Sequence, residues 1–127
     1  MPESKPTIVC LCGSTRFYEE FVYANYTETM AGRIVLSVGV FGHRPLVHRV
    51  PRPDESKDPK FIQPDGHVIS LSTEDKVALD QLHKRKIDLA DEVLVINPGR
   101  YIGDSTRSEI AYASALGKPI RYMEEPE

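Results

Sequence analysis

Thr7-Ile8-Val9-Cys10-Leu11-Cys12-Gly13-Ser14-Thr15-Arg16 is the stretch that decides the fold. From Ile8 to Cys12 every side chain is apolar, and the run stops at a glycine. A strand with one wet face alternates apolar and polar residues. A strand covered on both faces does not, so this run reads as a strand of a parallel sheet. The next segment has a helical period. Phe17 with Phe21, and Tyr18 with Val22, are i,i+4 pairs on adjoining stripes, so residues 15–31 read as a helix. Ser14 or Thr15 is placed to cap it, Glu19 and Glu20 suit its positive end, and Gly32 is placed to stop it.

Outward from this unit the alternation repeats. Ile34 to Phe41 reads as a second strand. The segment from Gly42 to about Leu71 holds five of the ten prolines, between Pro45 and Pro64, and reads as a long loop forming a flap over a site. Ser72 or Thr73 opens a helix with Glu74 and Asp75 in its first turn and Val77, Ala78, Leu79, Leu82 and Leu89 on its apolar side. Glu92 to Asn97 is a third strand. Pro98 to Gly103 is turn-rich, and Asp104 to Leu116 is a helix with Gly117 at its end and Pro119 beyond. Ile120 to Met123 is a fourth strand, and Glu124 to Glu127 is a solvated tail. Strands alternating with helices imply a three-layer α/β domain over residues 1–127: a parallel sheet of four to five strands with flanking helices, Rossmann-like or flavodoxin-like.

The 127 residues are 40% hydrophobic and 28% charged with net charge −3, ordinary for a globular domain and no support for coating a nucleic-acid polymer. No apolar run approaches the roughly 20 residues that span a bilayer. The opening Met1-Pro2-Glu3-Ser4-Lys5-Pro6 lacks the apolar core of a signal peptide, so a cytoplasmic location is the expectation. Cys10 and Cys12 point to one face of their strand and read as small buried hydrophobes rather than a redox pair.

In open parallel sheets ligands bind beyond the carboxyl ends of the strands, where the strand order reverses. Here that rule gathers Gly13–Arg16, the segment after Phe41, and Asn97–Asp104 round one cleft. Gly13, Ser14, Thr15 and Arg16 offer a tight turn, two hydroxyls, a guanidinium and a helix N-terminus, a set suited to a phosphate or a sugar; the competing reading is a plain cap with a surface arginine. Glu109 lies in the first turns of the last helix, at the mouth of the cleft, although Thr106-Arg107-Ser108-Glu109 also fits a capping box. Asn97, Tyr101 and Ser105 belong to the loop and helix start beside it, with Tyr101 able to stack on a base. Asp104 is a second carboxylate that could divide roles with Glu109, or simply an N-cap. Asp80, His83 and Ile87 share a helix face, so His83 is a candidate proton donor, against the commoner structural role of a lone helical histidine. Lys84-Arg85-Lys86 reads as a solvated basic face. His43, His48 and His67 show no metal-ligand spacing, and neither metal nor cofactor is expected.

At these residues the chain resembles the nucleoside 2-deoxyribosyltransferase superfamily, including its deoxynucleoside 5'-monophosphate N-glycosidase branch. Leu11-Cys12-Gly13-Ser14-Thr15-Arg16 looks like that branch's Cys-Gly-Ser-x-Arg turn. Ala90-Asp91-Glu92-Val93-Leu94-Val95, Glu109-Ile110-Ala111-Tyr112-Ala113 and Gly117-Lys118-Pro119 look like the family's strand and glutamate-bearing helix. The resemblance implies cleavage or transfer at the N-glycosidic bond of a nucleoside or nucleotide. Glu109 would be the nucleophile, Asp104 or His83 the acid or sugar ligand, and Gly13, Ser14, Arg16 and Ser105 would hold sugar or phosphate. It also implies a homodimer or larger assembly. Two positions depart from the family pattern. Cys10 stands where the family has a tyrosine that orients the glutamate. His83 stands where the family has an aspartate, either replacing that acid or marking a lost activity. A non-catalytic nucleotide-binding module and a phosphoribohydrolase acting on ribonucleotides are the alternative readings.

Overall fold

The computed structural model describes residues 5–41 and 72–126; the expected flap over 42–71 lies outside them. Strand β1 (Ile8–Gly13) leads to helix α1 (Tyr18–Met30) and strand β2 (Ile34–Leu36). Helix α2 (Thr73–Leu89), strand β3 (Glu92–Ile96), helix α3 (Asp104–Ala115) and strand β4 (Ile120–Tyr122) complete the order. Among the described residues four strands lie in the order β2-β1-β3-β4, and every neighbouring pair is parallel. This is the expected three-layer α/β fold.

The apolar run of β1 splits by parity, as the pleat requires. Val9 and Leu11 pack with Phe21 and Ala24 of α1 on one face. Cys10 and Cys12 pack with Ile87 of α2 and Ala113 of α3 on the other. The chain leaves β1 towards one sheet edge with α1 on one face, then crosses to the far side of β1 with α2 on the opposite face. Right-handed crossovers in opposite directions demand this arrangement, and the reversal falls between β1 and β3. There the strands meet closely. A Cβ on Gly13 would lie 2.6 Å from the Ile96 carbonyl oxygen, so a side chain is excluded at the end of β1.

Three local readings need correction. Helix α1 begins at Tyr18, and neither Ser14 nor Thr15 caps it. The Ser14 carbonyl accepts from the Phe17 amide at 3.1 Å, its hydroxyl accepts from the Arg16 amide at 3.3 Å, and residues 14–17 form a turn ahead of the helix. The second strand stops at Leu36 instead of running to Phe41. Beyond it Lys86 Nζ takes the Ser37 carbonyl at 2.6 Å, and Phe41 turns onto Tyr18 and Phe21 as edge-to-face ring pairs. The capping box sits at Ser72 and Asp75, where side chain and backbone exchange both bonds, and not at Thr106–Glu109. Gly117, with φ +74°, ends α3 as expected. The amides of Gly117 and Lys118 reach back to the Ser114 and Ala113 carbonyls in a Schellman closure.

An ion cluster ties α1 to the far sheet edge. Arg121 of β4 reaches Glu28 and Glu92, each at 2.6 Å, and Arg33 lies 3.5 and 3.7 Å from the same two carboxylates. Glu28 is buried, so removing Arg121 strands charge, while partial solvent access to the guanidinium limits the loss. Arg121→Met should cost about 1–2 kcal/mol in urea unfolding, partly recovered when Glu28→Gln is added.

Candidate active site

A cavity of about 560 Å³ opens at the carboxyl ends of β1 and β3. That is within the usual range for small-molecule sites. Four segments contribute to its wall: the Gly13–Thr15 turn, Val38–Val40 after β2, one face of α2, and Gly103–Thr106 with Glu109 from α3. The helix face is legible as a stripe, since Lys76, Asp80, His83 and Ile87 fall at i, i+4, i+7, i+11. The first three of these line the cavity and Ile87 enters the core behind them. Gly103 precedes α3 in extended conformation, no side chain caps the helix, and residues 103–106 line the cavity, so the positive end of the helix dipole lies at its wall.

Glu109 is the sixth residue of α3, too far along to fold back on its N-terminus. Instead its carboxylate lies in the cavity wall, only 7% of the residue exposed. Glu109 Oε1 is 3.9 Å from His83 Nε2. Behind His83, Cys10 Sγ and Cys12 Sγ stand 3.6 and 3.4 Å from the same nitrogen. The four groups form one buried polar file from the core of the sheet to the cavity.

Their protons are shared unequally. Burial pushes the Glu109 carboxyl up to about 7, with the Asp80 charge adding to the rise and His83 opposing it. Burial works to lower the pKa of His83, but the hydrogen bond and charge of Cys10 and the charge of Glu109 outweigh it, and the net shift is upward. The hydrogen bond from Cys12 brings Cys10 down to about 6, and the same bond, with burial, holds Cys12 well above a free thiol. The network therefore favours the thiolate on Cys10 and the thiol on Cys12, and it draws protons towards His83 and Glu109.

The expected site residues divide. Gly13, Ser14, Thr15, His83, Asp104, Ser105 and Glu109 all line the cavity. The Asp104 side chain, however, is fully exposed and bound by Arg107 at 3.1 Å. Asp80 is the carboxylate whose charge reaches Glu109. Arg16 and Tyr101 are outside the lining: the guanidinium lies 4.5 Å above the Tyr101 ring, which meets Phe17 edge-on at 5.8 Å. They buttress the loops that carry Gly13 and Gly103. Asn97 is fully buried and structural. Its amide donates to the Glu124 carbonyl at 2.8 Å and accepts from the Glu124 amide at 2.9 Å. Glu124 to Pro126 are exposed, as expected of the tail, but its start is held in place, since the Gly99 amide and Arg100 Nε also bind Glu124 and Glu125. Asn97→Ala should cost about 2 kcal/mol in chemical denaturation, because it leaves both groups of Glu124 unpaired.

Sequence reasoning misses Lys76 and Lys86, two cavity-lining cations, and Lys86 belongs to the run that reads as a solvated face. It also misses the chemistry of the two thiols. Among the described residues, Cys10, Cys12 and His83 bring their ligand atoms within 4.8 Å of one another, a set that could hold a metal ion. The histidines His43, His48 and His67 lie outside the described residues. No helix among the described residues is long and apolar enough to cross a membrane. No protein-family model matches the chain, and no curated protein matches it.

Proposed function

We propose that this protein cleaves or transfers at the N-glycosidic bond of a nucleoside or nucleoside 5'-monophosphate, with Glu109 as the nucleophile. The observation that carries the reading is one of placement. The buried Glu109 carboxylate shares a cavity with the Gly13–Thr15 turn and the uncapped start of α3. An anionic group seats against the α3 amides, Ser105 and the lysines Lys76 and Lys86. Asp80 accepts from a sugar hydroxyl.

Glu109 attacks the anomeric carbon. The carbon–nitrogen bond breaks, its electron pair passes to the base, and the base takes a proton from the imidazolium of His83, directly or through a water. Neutral His83 then accepts a proton from the water that opens the glycosyl ester, freeing the sugar and restoring Glu109; with a second base as acceptor the same ester gives transfer. Splitting one displacement into two is the gain of a covalent intermediate. A homo-oligomer belongs to the same reading. Tyr23, Tyr26 and Met30, spaced i, i+3, i+7 and each more than 60% exposed, are the apolar stripe of α1 that supports it, and sedimentation equilibrium checks it.

The test is incubation with deoxyribo- and ribonucleoside monophosphates, with free base measured by chromatography. Base release is expected, faster from one sugar series than the other. Binding without release, unchanged in a Glu109 variant, would leave a nucleotide-binding module. Release restricted to ribonucleotides would point to a phosphoribohydrolase.

The pH profile is set by the carboxyl held up to about 7 by burial. Only the ionised form attacks, and only protonated His83 can serve the departing base, so kcat/KM of the metal-free protein should rise about tenfold per pH unit below that value and fall again at alkaline pH as His83 loses its proton. Asp80, His83, Cys10 and Cys12 all face this carboxyl and shape the curve. A flat profile across that range would exclude Glu109 as the attacking group.

A further inference from the structure

We infer that Cys10, Cys12 and His83 form a binding site for a thiophilic divalent ion of the zinc class, closed by Glu109 as fourth ligand. The inference rests on donor chemistry and geometry and does not depend on the glycosidase reading.

Zinc takes thiolate sulfur at about 2.3 Å and imidazole nitrogen at about 2.0–2.1 Å in a tetrahedron, which puts bound sulfur and nitrogen about 3.5 Å apart. The two sulfur–nitrogen separations here are 3.6 and 3.4 Å. All three donor atoms fall within 4.8 Å of one another, close enough for one ion to be shared by all three. The fourth corner belongs to Glu109. Its Oε1 is 3.9 Å from the imidazole nitrogen, against the roughly 3.4 Å of a tetrahedral nitrogen–oxygen pair, a gap that a small side-chain rotation closes.

The frame is rigid where a metal site needs rigidity. Both cysteines sit on β1, the strand hydrogen-bonded on both sides, and both are fully buried; His83 is anchored on α2 one turn from the core residue Ile87. The ion has an approach, because His83 and Glu109 also line the cavity. Softness of the donors selects zinc, cobalt or cadmium over magnesium or calcium. Binding displaces a proton from Cys12, and from Cys10, His83 or Glu109 where they still carry one. It consumes no oxidant or reductant. An ion held this way occupies the Glu109 carboxylate and the His83 nitrogen, so it and a sugar at Glu109 exclude each other.

Titration of the reduced full-length protein with Co²⁺ tests the site. The expected result is one equivalent bound, with sulfur-to-cobalt charge-transfer absorption of a strength that reports two thiolates and visible bands of tetrahedral cobalt, all displaced by Zn²⁺ and untouched by Mg²⁺. Cys12→Ala and His83→Gln should each weaken Co²⁺ binding at least about 100-fold with the far-ultraviolet dichroism unchanged. The wild-type band intensity stands as a test even if a variant does not fold. Absence of charge-transfer absorption, octahedral bands only, or equal affinity in a folded Cys12→Ala protein would overturn the inference. If base release is found, stoichiometric Zn²⁺ should abolish it. Cobalt bound by two thiolates without base release leaves this site standing and removes the glycosidase reading, and base release indifferent to Zn²⁺ does the reverse.

Discussion

Glu109→Gln should lower base release from a nucleoside monophosphate by at least about 10³-fold, with KM little changed and the fold intact. Glutamine keeps the shape of the side chain and its place in the cavity wall, so substrate contacts elsewhere survive. It cannot form the glycosyl ester, so the first displacement has no nucleophile. The same substitution should stabilise the protein at neutral and alkaline pH. The carboxyl titrates near 7 in the fold against an ordinary 4.5, so the folded state holds its proton more tightly than the unfolded chain does. The stability due to that proton is complete below 4.5 and is lost as pH rises through 7. Replacing the group by a neutral amide removes this loss. Urea midpoints for both proteins at acid and alkaline pH should therefore converge at low pH and separate at high pH in favour of the variant. Lost activity with gained stability is the mark of a group kept for chemistry at some cost to folding. Full activity in Glu109→Gln, or a variant less stable at every pH, would assign the residue to structure.

Gly13→Ala should have the largest effect on stability, about 3 kcal/mol or a fall of about 10 °C in Tm. The added carbon would stand 2.6 Å from the Ile96 carbonyl oxygen and 2.9 Å from Ile96 Cβ. Neither neighbour is a flexible side-chain end. Ile96 Cβ is fixed in the core, and the oxygen belongs to β3, which is paired with β1 at that point. Relief requires the two central strands to part where the reversal of strand order makes the cleft. The effect should thus reach function, displacing the turn from Glu109 and raising KM. Thermal unfolding and steady-state kinetics on the same preparation would show both. A loss under about 1 kcal/mol would mean that the strand ends relax freely and that the glycine serves only the turn.

The fold is legible because the strands announce themselves. The unbroken apolar runs of β1 and β3 mark strands buried on both faces, since in a chain of alternating elements a run of four or five residues is too short for a buried helix. β2 reads too long because its apolar letters continue past Leu36, while just beyond that residue the Ser37 carbonyl is taken by Lys86, a long-range contact. The site is legible by segment more than by residue. The rule for parallel sheets gathers Gly13–Arg16, the segment after Phe41 and Asn97–Asp104, and the helix that follows brings Ser105 and Glu109 with them. It does not say that Asn97 bonds the tail, or that Arg16 lies on Tyr101, because a strand-end polar residue has the same sequence signature whether it turns to a ligand or to its own chain. Cys10 and Cys12 read as plain hydrophobes for a related reason. Their burial is legible in the strand, but the histidine facing them lies more than 70 positions away in sequence.

Glycosidase chemistry at this cavity requires a covalent bond between the Glu109 carboxylate and the sugar of a bound nucleotide. A 2'-fluoro-2'-deoxyarabinonucleoside 5'-monophosphate traps that bond, because its fluorine slows breakdown of a glycosyl ester. After incubation with this compound, proteolysis and mass spectrometry should find free base and a fluorosugar phosphate attached to the peptide that carries Glu109. Release of base with that peptide unmodified, or an adduct on another residue, would contradict the assignment of Glu109 as nucleophile.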